Sequence, residues 1–194
     1  METYVVITAP ATEPLTLAEA KLHLRVNNSV EDALITALIT AARQFVEGYT
    51  WRPLMTQTID VVFDTIIDKT IMINKAPVQS VTSVKYLDLN GTEQTISSTL
   101  YVTDLLNSPC RVKLDTIPVI KDTLNAFKIR VVCGYTSAAL IPQTYKSAML
   151  LIIGHLYENK QQAQSQTLSE IPFGVYTLLD IENNKYNRSI WLSK

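Results

Sequence analysis

A chain of 194 residues is long enough for one hydrophobic core with room for an inserted lobe. Apolar residues make up 47% of it, an ordinary globular share that excludes wholesale disorder. With 17 Lys+Arg against 18 Asp+Glu the net charge is −1, so a strongly basic surface that grips DNA by its phosphates is not expected, a small local patch aside.

No apolar run approaches the roughly 20 residues needed to span a bilayer. The start, Met1-Glu2-Thr3-Tyr4, has neither the basic region nor the long apolar run of a signal peptide. Cys110 and Cys133 are the two cysteines. They are expected as buried or half-buried thiols of a reducing compartment, with a disulfide between adjacent strands as the minor alternative. Two cysteines do not make a Cys-only zinc site.

Residues 3–13 are apolar but irregular and pass through Pro10 to Pro14, which predicts an extended arm. Thr16 and Glu19 have capping-box spacing and open a short helix that runs to about Arg25. Its apolar positions are Leu17, Ala20, Leu24 and Leu22. Asn27-Asn28-Ser29 breaks it. Ser29 or Asn28 is expected to cap a second helix with Glu31 and Asp32 in its first turn, where the helix dipole favours negative charge. Leu34, Ile35, Leu38, Ile39, Ala42, Phe45, Val46 and Tyr49 then recur at steps of three and four. This is the clearest amphipathic helix in the chain, about 18 residues long and ending near residues 48–51, before Pro53.

From residue 55 to 135 the period changes to two. Ile59, Val61 and Phe63 alternate with Asp60, Val62 and Asp64, and Ile71 and Ile73 flank Met72. Val81, Val84, Tyr86 and Leu87 lead into Asn90-Gly91, a turn dipeptide in which both residues tolerate positive φ. Gln94-Thr95-Ile96 is expected to return beside them. Three further runs, 101–103, 110–114 and 127–133, complete about six or seven short strands. Pro142 suits the first position of a long third helix reaching about Lys160, with Tyr145, Ala148, Met149, Ile152, Ile153 and Leu156 on its apolar face. Residues 161–169 are polar and Gln-rich and read as a mobile loop. Residues 171–182 read as a short helix carrying Val175, Leu178, Leu179 and Ile181. A polar tail follows from Asn183 and ends in Ile190-Trp191-Leu192, an apolar cluster that needs a docking place.

Signals for chemistry are weak. His23 and His155 are the two histidines, and His155 with Glu158 supplies too few ligands for a stable metal site. There is no nucleophile elbow, P-loop or dinucleotide-binding glycine pattern, and only five glycines. Asp60, Asp64 and Asp68 step along a strand and loop as a conceivable cation site, but solvated strand faces explain them better. Tyr49, Trp51, Tyr135, Tyr145 and Tyr157 fall around the ends of the two long helices. Core packing is their default use, and a subunit contact is the sharper one. No catalytic residue, cofactor or metal ligand is assigned.

The segment Pro14-Leu15-Thr16-Leu17-Ala18-Glu19-Ala20-Lys21-Leu22-His23-Leu24-Arg25-Val26 resembles the first helix of the head–tail connector (adaptor, or head-completion) proteins of tailed bacteriophages. Glu31-Asp32-Ala33-Leu34-Ile35, Ala41-Ala42-Arg43 and Glu47-Gly48-Tyr49-Thr50 resemble their second helix. The stretch from Pro77 to Tyr86, with Asp88 and Gly91, is similar to the strand-rich insert of the larger members. Gly134-Tyr135, Ile141-Pro142, Lys146 and Leu156-Tyr157-Glu158-Asn159 look like their third helix, and Ile171-Pro172-Phe173-Gly174-Val175 with Leu178-Leu179 like the closing segment. The chain departs from the pattern at Trp51-Arg52, where Gly-Arg is commoner, and in residues 183–194, which extend past the usual stop.

The resemblance implies an α+β fold. Residues 1–54 form an arm and two N-terminal helices, 55–135 an inserted small β-rich lobe, 136–182 the C-terminal helices that complete a helical bundle, and 183–194 a tail. It implies a structural virion protein, not an enzyme. About twelve copies form a ring beneath the portal, extending the DNA channel and presenting a surface to the next tail or neck component. DNA passes without specific binding. The protein resides in the virion neck, and in the host cytoplasm during assembly. The ring is expected to form through surfaces of the helical part, while Ile190, Trp191 and Leu192 dock on portal. An adjacent subunit is the other dock, and folding of Trp191 onto its own chain is the bland alternative. Rival readings are a tail-completion or neck binding module, and a small hydrolytic enzyme built on Asp60, Asp64 and His155.

Overall fold

The computed structural model describes residues 2–159 and 173–191, with backbone alone at residue 173 and over 184–191. The chain divides into two compact units. One comprises Met1–Ala11 and Met55–Tyr135, the other Thr12–Leu54 and Thr136–Lys194.

The first unit is all β. Its strands are β1 (Glu2–Thr8), β2 (Gln57–Phe63), β3 (Thr70–Ile73), β4 (Val78–Leu87), β5 (Glu93–Ile96), β6 (Tyr101–Asp104), β7 (Cys110–Leu114) and β8 (Phe127–Cys133). They pair antiparallel in a five-stranded sheet of order β1-β2-β8-β4-β5 and a three-stranded sheet of order β3-β7-β6. The period of two places alternate residues on one face. In β8, Phe127, Ile129, Val131 and Cys133 are buried, and in β7, Cys110, Val112 and Leu114. These join Ile59, Val61, Ile71, Ile73, Val78 and Val84 in one core shared by both sheets. Cross-strand pairs Ile59↔Val131 and Val61↔Ile129 lock the register. Cys110 and Cys133 are buried in different sheets and form no disulfide, and burial pushes the Cys110 thiol up to about 11.

Two features of this unit differ from expectation. Residues 3–8, part of the stretch 3–13 read as an arm, form with Glu2 the edge strand β1, paired with β2 through a register shift between Val6 and Thr8, so they join the β unit rather than the N-terminal helices. Their partners, from Thr58 to Phe63, lie about fifty to sixty residues downstream, and local pattern cannot reveal them. The β4–β5 hairpin does turn at Asn90-Gly91, but Gly91 alone takes positive φ (+83°). Gly91 N–H donates to Asp88 O (2.8 Å) and Asp88 N–H to Thr92 O (3.0 Å), while the Asp88 carboxylate accepts from Asn90 and Thr92 N–H. This is the longer hairpin loop with glycine in the left-handed position. A second glycine is required after β8. Gly134 has φ +98°, and a Cβ there would lie 2.1 Å from the Met55 carbonyl oxygen.

The second unit is helical: α1 (Leu17–Leu24), α2 (Asp32–Thr50), α3 (Gln143–Glu158) and α4 (Phe173–Trp191). α2 packs on α3, α3 on α4, and α1 on both α2 and α3. Ile35, Ile39, Ala42 and Val46 from α2 are buried, as are Tyr145, Ala148, Met149, Ile152 and Ile153 from α3 and Val175 and Leu179 from α4. Leu38, Phe45 and Leu156 are half-buried, and Leu34 is exposed, at the margin of the stripe. The capping box is formed: Thr16 Oγ1 accepts from Glu19 N–H (3.2 Å) and Glu19 Oε2 from Thr16 N–H (2.7 Å). Leu22, read as a core position, is 82% exposed.

Three boundaries are corrected. α2 is capped by Glu31 without a side-chain bond, and the Asn28 side chain instead accepts Val30 N–H in a turn before the helix. Pro142 is the N-cap of α3 rather than its first residue, with ψ 134°. α4 extends through residues 183–191, read as a polar tail. Those residues include no Gly or Pro, and an established helix propagates through residues of middling propensity. The loop expected over 161–169, and the end of the third helix at Lys160, lie outside the described residues.

One ion-pair network anchors this unit. Arg43 Nε donates to Glu13 Oε2 and its Nη1 to Glu47 Oε2, both at 2.7 Å. Glu47 Oε1 accepts Leu54 N–H (2.8 Å). Among the described residues no helix is long and apolar enough to cross a membrane.

Two outcomes follow from this packing. Ile39→Ala should lower stability by about 2–5 kcal/mol, since the side chain is fully enclosed between helices; a loss under about 0.5 kcal/mol in denaturant melts would remove Ile39 from the core. The capping bonds from Thr16 hold the Glu19 carboxyl below the usual glutamate range. The folded state therefore binds that proton less readily than the unfolded chain. The box contributes stability above the ordinary glutamate pKa and loses it as the pH falls through the lowered value. Glu19→Gln should flatten the acid limb of a stability–pH curve, and an unchanged acid limb would show that the box does not titrate with folding.

Candidate functional site

The residues with the strongest chemical potential in the sequence are engaged in structural bonds. Asp60 on β2 is buried and grips Arg130 of β8 at two points, Nε to Oδ1 (2.7 Å) and Nη2 to Oδ2 (2.8 Å). The two residues are directly opposite in the register, so the pair is a cross-strand clamp. Asp64 accepts Asn125 N–H (3.0 Å), holding a loop whose Asn125 has positive φ. Asp68 is exposed in the loop before β3. Asn159 Nδ2 lies 3.2 Å from His155 Nδ1 and donates to the His155 carbonyl (2.7 Å). Asp60 and Asp64 belong to the β unit and His155 to the helical unit. No group of three or more His, Cys, Asp or Glu among the described residues is arranged to hold a metal.

The outer face of the five-stranded sheet extends the clamp into a charge ladder. Lys85 donates to Glu93 Oε2 (2.7 Å) and Lys128 to Glu93 Oε1 (3.4 Å). With Ser83, Asp60 and Arg130 these residues line a shallow cavity of about 70 Å³. Lys85, then Lys128, holds the Glu93 carboxyl below its usual range, and Asp60 raises Arg130. The pairs are partly exposed, so each contributes at most about 1 kcal/mol. On the other sheet, Asp104 is lowered to about 2 by hydrogen bonds from Arg111 and Asn107. Lys85, Lys128, Arg130 and Arg111 are partnered within the fold rather than arrayed for an anionic ligand.

What remains is surface suited to protein contact. Val5, Val6 and Ile7 of β1 are 44%, 57% and 46% exposed on an open sheet edge. Trp51 caps α2 at φ 58°, a left-handed conformation uncommon for a bulky residue, and is 63% exposed. Near it in sequence, Tyr49 meets the Tyr176 ring (5.4 Å between centroids) and donates to Asp180 (2.9 Å), tying α2 to α4. Tyr145 is core, while Tyr157 is half-buried and bonds to Glu31. Ile190 and Trp191, proposed for docking, close α4, but their side chains and the whole of Leu192 lie outside the described residues. The sequence reading missed the β1 edge. The signal for it was the lack of any charge over residues 3–12.

Residues 14–109 match the family model of the phage gp6-like head-tail connector protein, a span that runs from before α1 into the loop after β6. Among solved structures, a chain of the virion of the native gene transfer agent (GTA) particle is similar over 92% of this chain and 94% of its own, with TM-score 0.74 and 22% identity. A chain of the neck of the empty GTA particle, computed with C6 symmetry, has TM-score 0.74 and 23% identity over 92% and 94%. A third, from the neck of the native GTA particle computed with C12 symmetry, has TM-score 0.72 and 23% identity over 92% and 93%. At these identities the likeness is one of fold. No curated protein gave a significant match. With the paired N-terminal helices and the following strands matched in order, and the fold shared almost end to end, the chain belongs to the phage gp6-like head-tail connector family.

Proposed function

We propose that this chain is a structural neck component that assembles as a ring of about twelve copies beneath the portal, extends the DNA channel and joins head to tail. The family match over residues 14–109 carries the reading. The fold it shares with a chain of a GTA neck computed with C12 symmetry supports the copy number. The role asks for contact surfaces and a passage, not for a reaction, and the site chemistry described above fits that need. A net charge of −1 suits a conduit through which DNA slides, since each free cation facing a phosphate would add affinity. The protein then works in the virion neck, after assembly in the host cytoplasm.

In this reading, subunits meet through surfaces of the helical unit, and Ile190, Trp191 and Leu192 dock on portal. The next tail or neck component binds the ring from the other side. Support for the C-terminal dock is the combination of a polar stretch from Asn183 with an apolar end. Aromatic residues such as Trp are frequent anchors of interfaces.

Deleting residues 184–194 tests the dock. Val175 and Leu179, which bury α4 in the helical unit, are retained, so the truncated chain should fold and melt cooperatively. Its occupancy in assembled particles should fall sharply, and the particles should lose DNA. Normal connector occupancy with sealed capsids would show that the segment is a tolerated extension.

A further inference from the structure

Among the described residues, the five-stranded sheet ends in two strands that have a neighbour on one side alone, β1 and β5. β1 is lightly protected as an edge: its register shifts between Val6 and Thr8, but it contains no Lys or Pro, and its one charge, Glu2, lies at its start. Natural edge strands are short, or carry Lys, Pro or inward charges, because an open row of N–H and C=O groups templates pairing with another chain. β1 is seven residues long. Val5, Val6 and Ile7 are half exposed on it, and residues 3–12 carry no charge. A helix laid on this edge would cover the side chains but leave the backbone row unpaired, whereas a strand satisfies both. At the other end, Glu93, Gln94 and Thr95 of β5 are exposed. The Glu93 charge is taken up by Lys85 and Lys128, so this edge too is close to neutral.

The geometry points to β1 of one copy pairing with β5 of the next, so that the five-stranded sheets join edge to edge around the neck. This inference rests on the ring reading above and adds a second seam to the helical one. The occupant is a second copy of this chain for two reasons. A closed ring uses head-to-tail contacts between two different, complementary patches of one chain, and a sheet with two neutral open edges carries both. The dimensions also close. Five strands spaced about 4.8 Å apart span about 24 Å per copy, and twelve such spans make a band about 290 Å around and about 46 Å in radius, ample for a duplex. β5 has four residues, so its pairing covers far less than the roughly 800 Å² per partner of a stable interface. The seam therefore forms in the assembled neck, not between two free copies.

Cysteine pairs test it: Val6→Cys or Ile7→Cys, each combined with Thr95→Cys. Within one copy β1 and β5 are four strand spacings apart, about 19 Å, whereas a disulfide needs Cα atoms within about 7 Å. Any bridge is then between copies, and the native Cys110 and Cys133 are buried. Oxidised particles should yield a ladder of covalent multiples of the chain from a double variant and none from the single variants. Val5→Lys with Ile7→Lys should leave the isolated protein folded, with an unchanged melt, and abolish its incorporation into particles. Absence of the unmodified chain from the neck would overturn the ring reading itself. If the unmodified chain is in the neck, the edge pairing alone is overturned by any of three results: incorporated double-cysteine variants with no ladder, a bridge to a different protein, or wild-type occupancy of the lysine variant.

Discussion

The helical unit depends on one buried cation. Arg43 sits on the inner side of α2 with a side chain only 9% exposed, and a guanidinium so placed must be paired. It reaches back to Glu13, ahead of α1, and one turn on to Glu47, whose second oxygen takes the Leu54 N–H. Glu13, near the start of the unit, and Leu54, the end of its first half, are thus both fixed to α2. Burial works against charge throughout this network. It opposes the charge on Arg43, yet Glu13 and Glu47 raise its pKa on balance. For Glu47 burial is the largest effect, and it holds the carboxyl above its usual range despite Leu54 and Arg43. Removing one member of such a set leaves another charge stranded, at a cost of about 3–5 kcal/mol. The apolar packing of α2 on α3 supplies the bulk of the stabilisation, and the network sets where the chain enters and leaves it.

The β unit is organised differently. Its two sheets share a core of β-branched, aromatic and cysteine side chains drawn from alternate positions. Polar clamps are kept to the outer faces, where Asp60–Arg130 and Glu93 with its two lysines satisfy charges across strands. This division leaves two kinds of outward surface. On the charged face of the five-stranded sheet, Lys85, Lys128 and Arg130 are paired with Glu93 and Asp60. The edge strand β1 is apolar and carries an open backbone row, a surface that in a soluble monomer would be a liability.

Both units fit a protein whose role is realised in assembly. Family membership rests on the ordered match of helices and strands over residues 14–109. The likeness to neck chains of GTA particles extends the same fold over 92% of the chain. The paired cations of the sheet faces and the exposed apolar edge of β1 are surfaces of the kind that protein contact uses.

The sequence by itself determined the local elements. Steps of three and four located α2, alternation located the strands from β2 to β8, and the Thr16–Glu19 spacing located a capping box that the structure forms. The order of these segments was enough to name the family. Tertiary structure decided what no short window encodes. β1 became a strand because β2 supplies its hydrogen bonds from far along the chain. Asp60 became a clamp because register sets Arg130 opposite it. Leu22 and Leu34 were left outside because apolar side chains at the margin of a stripe are buried only where a neighbouring helix reaches them. Periodicity is a property of neighbouring residues and can be read in sequence. Pairing partners, register and the reach of one helix over another depend on residues distant in the chain, and those only the folded molecule brings together.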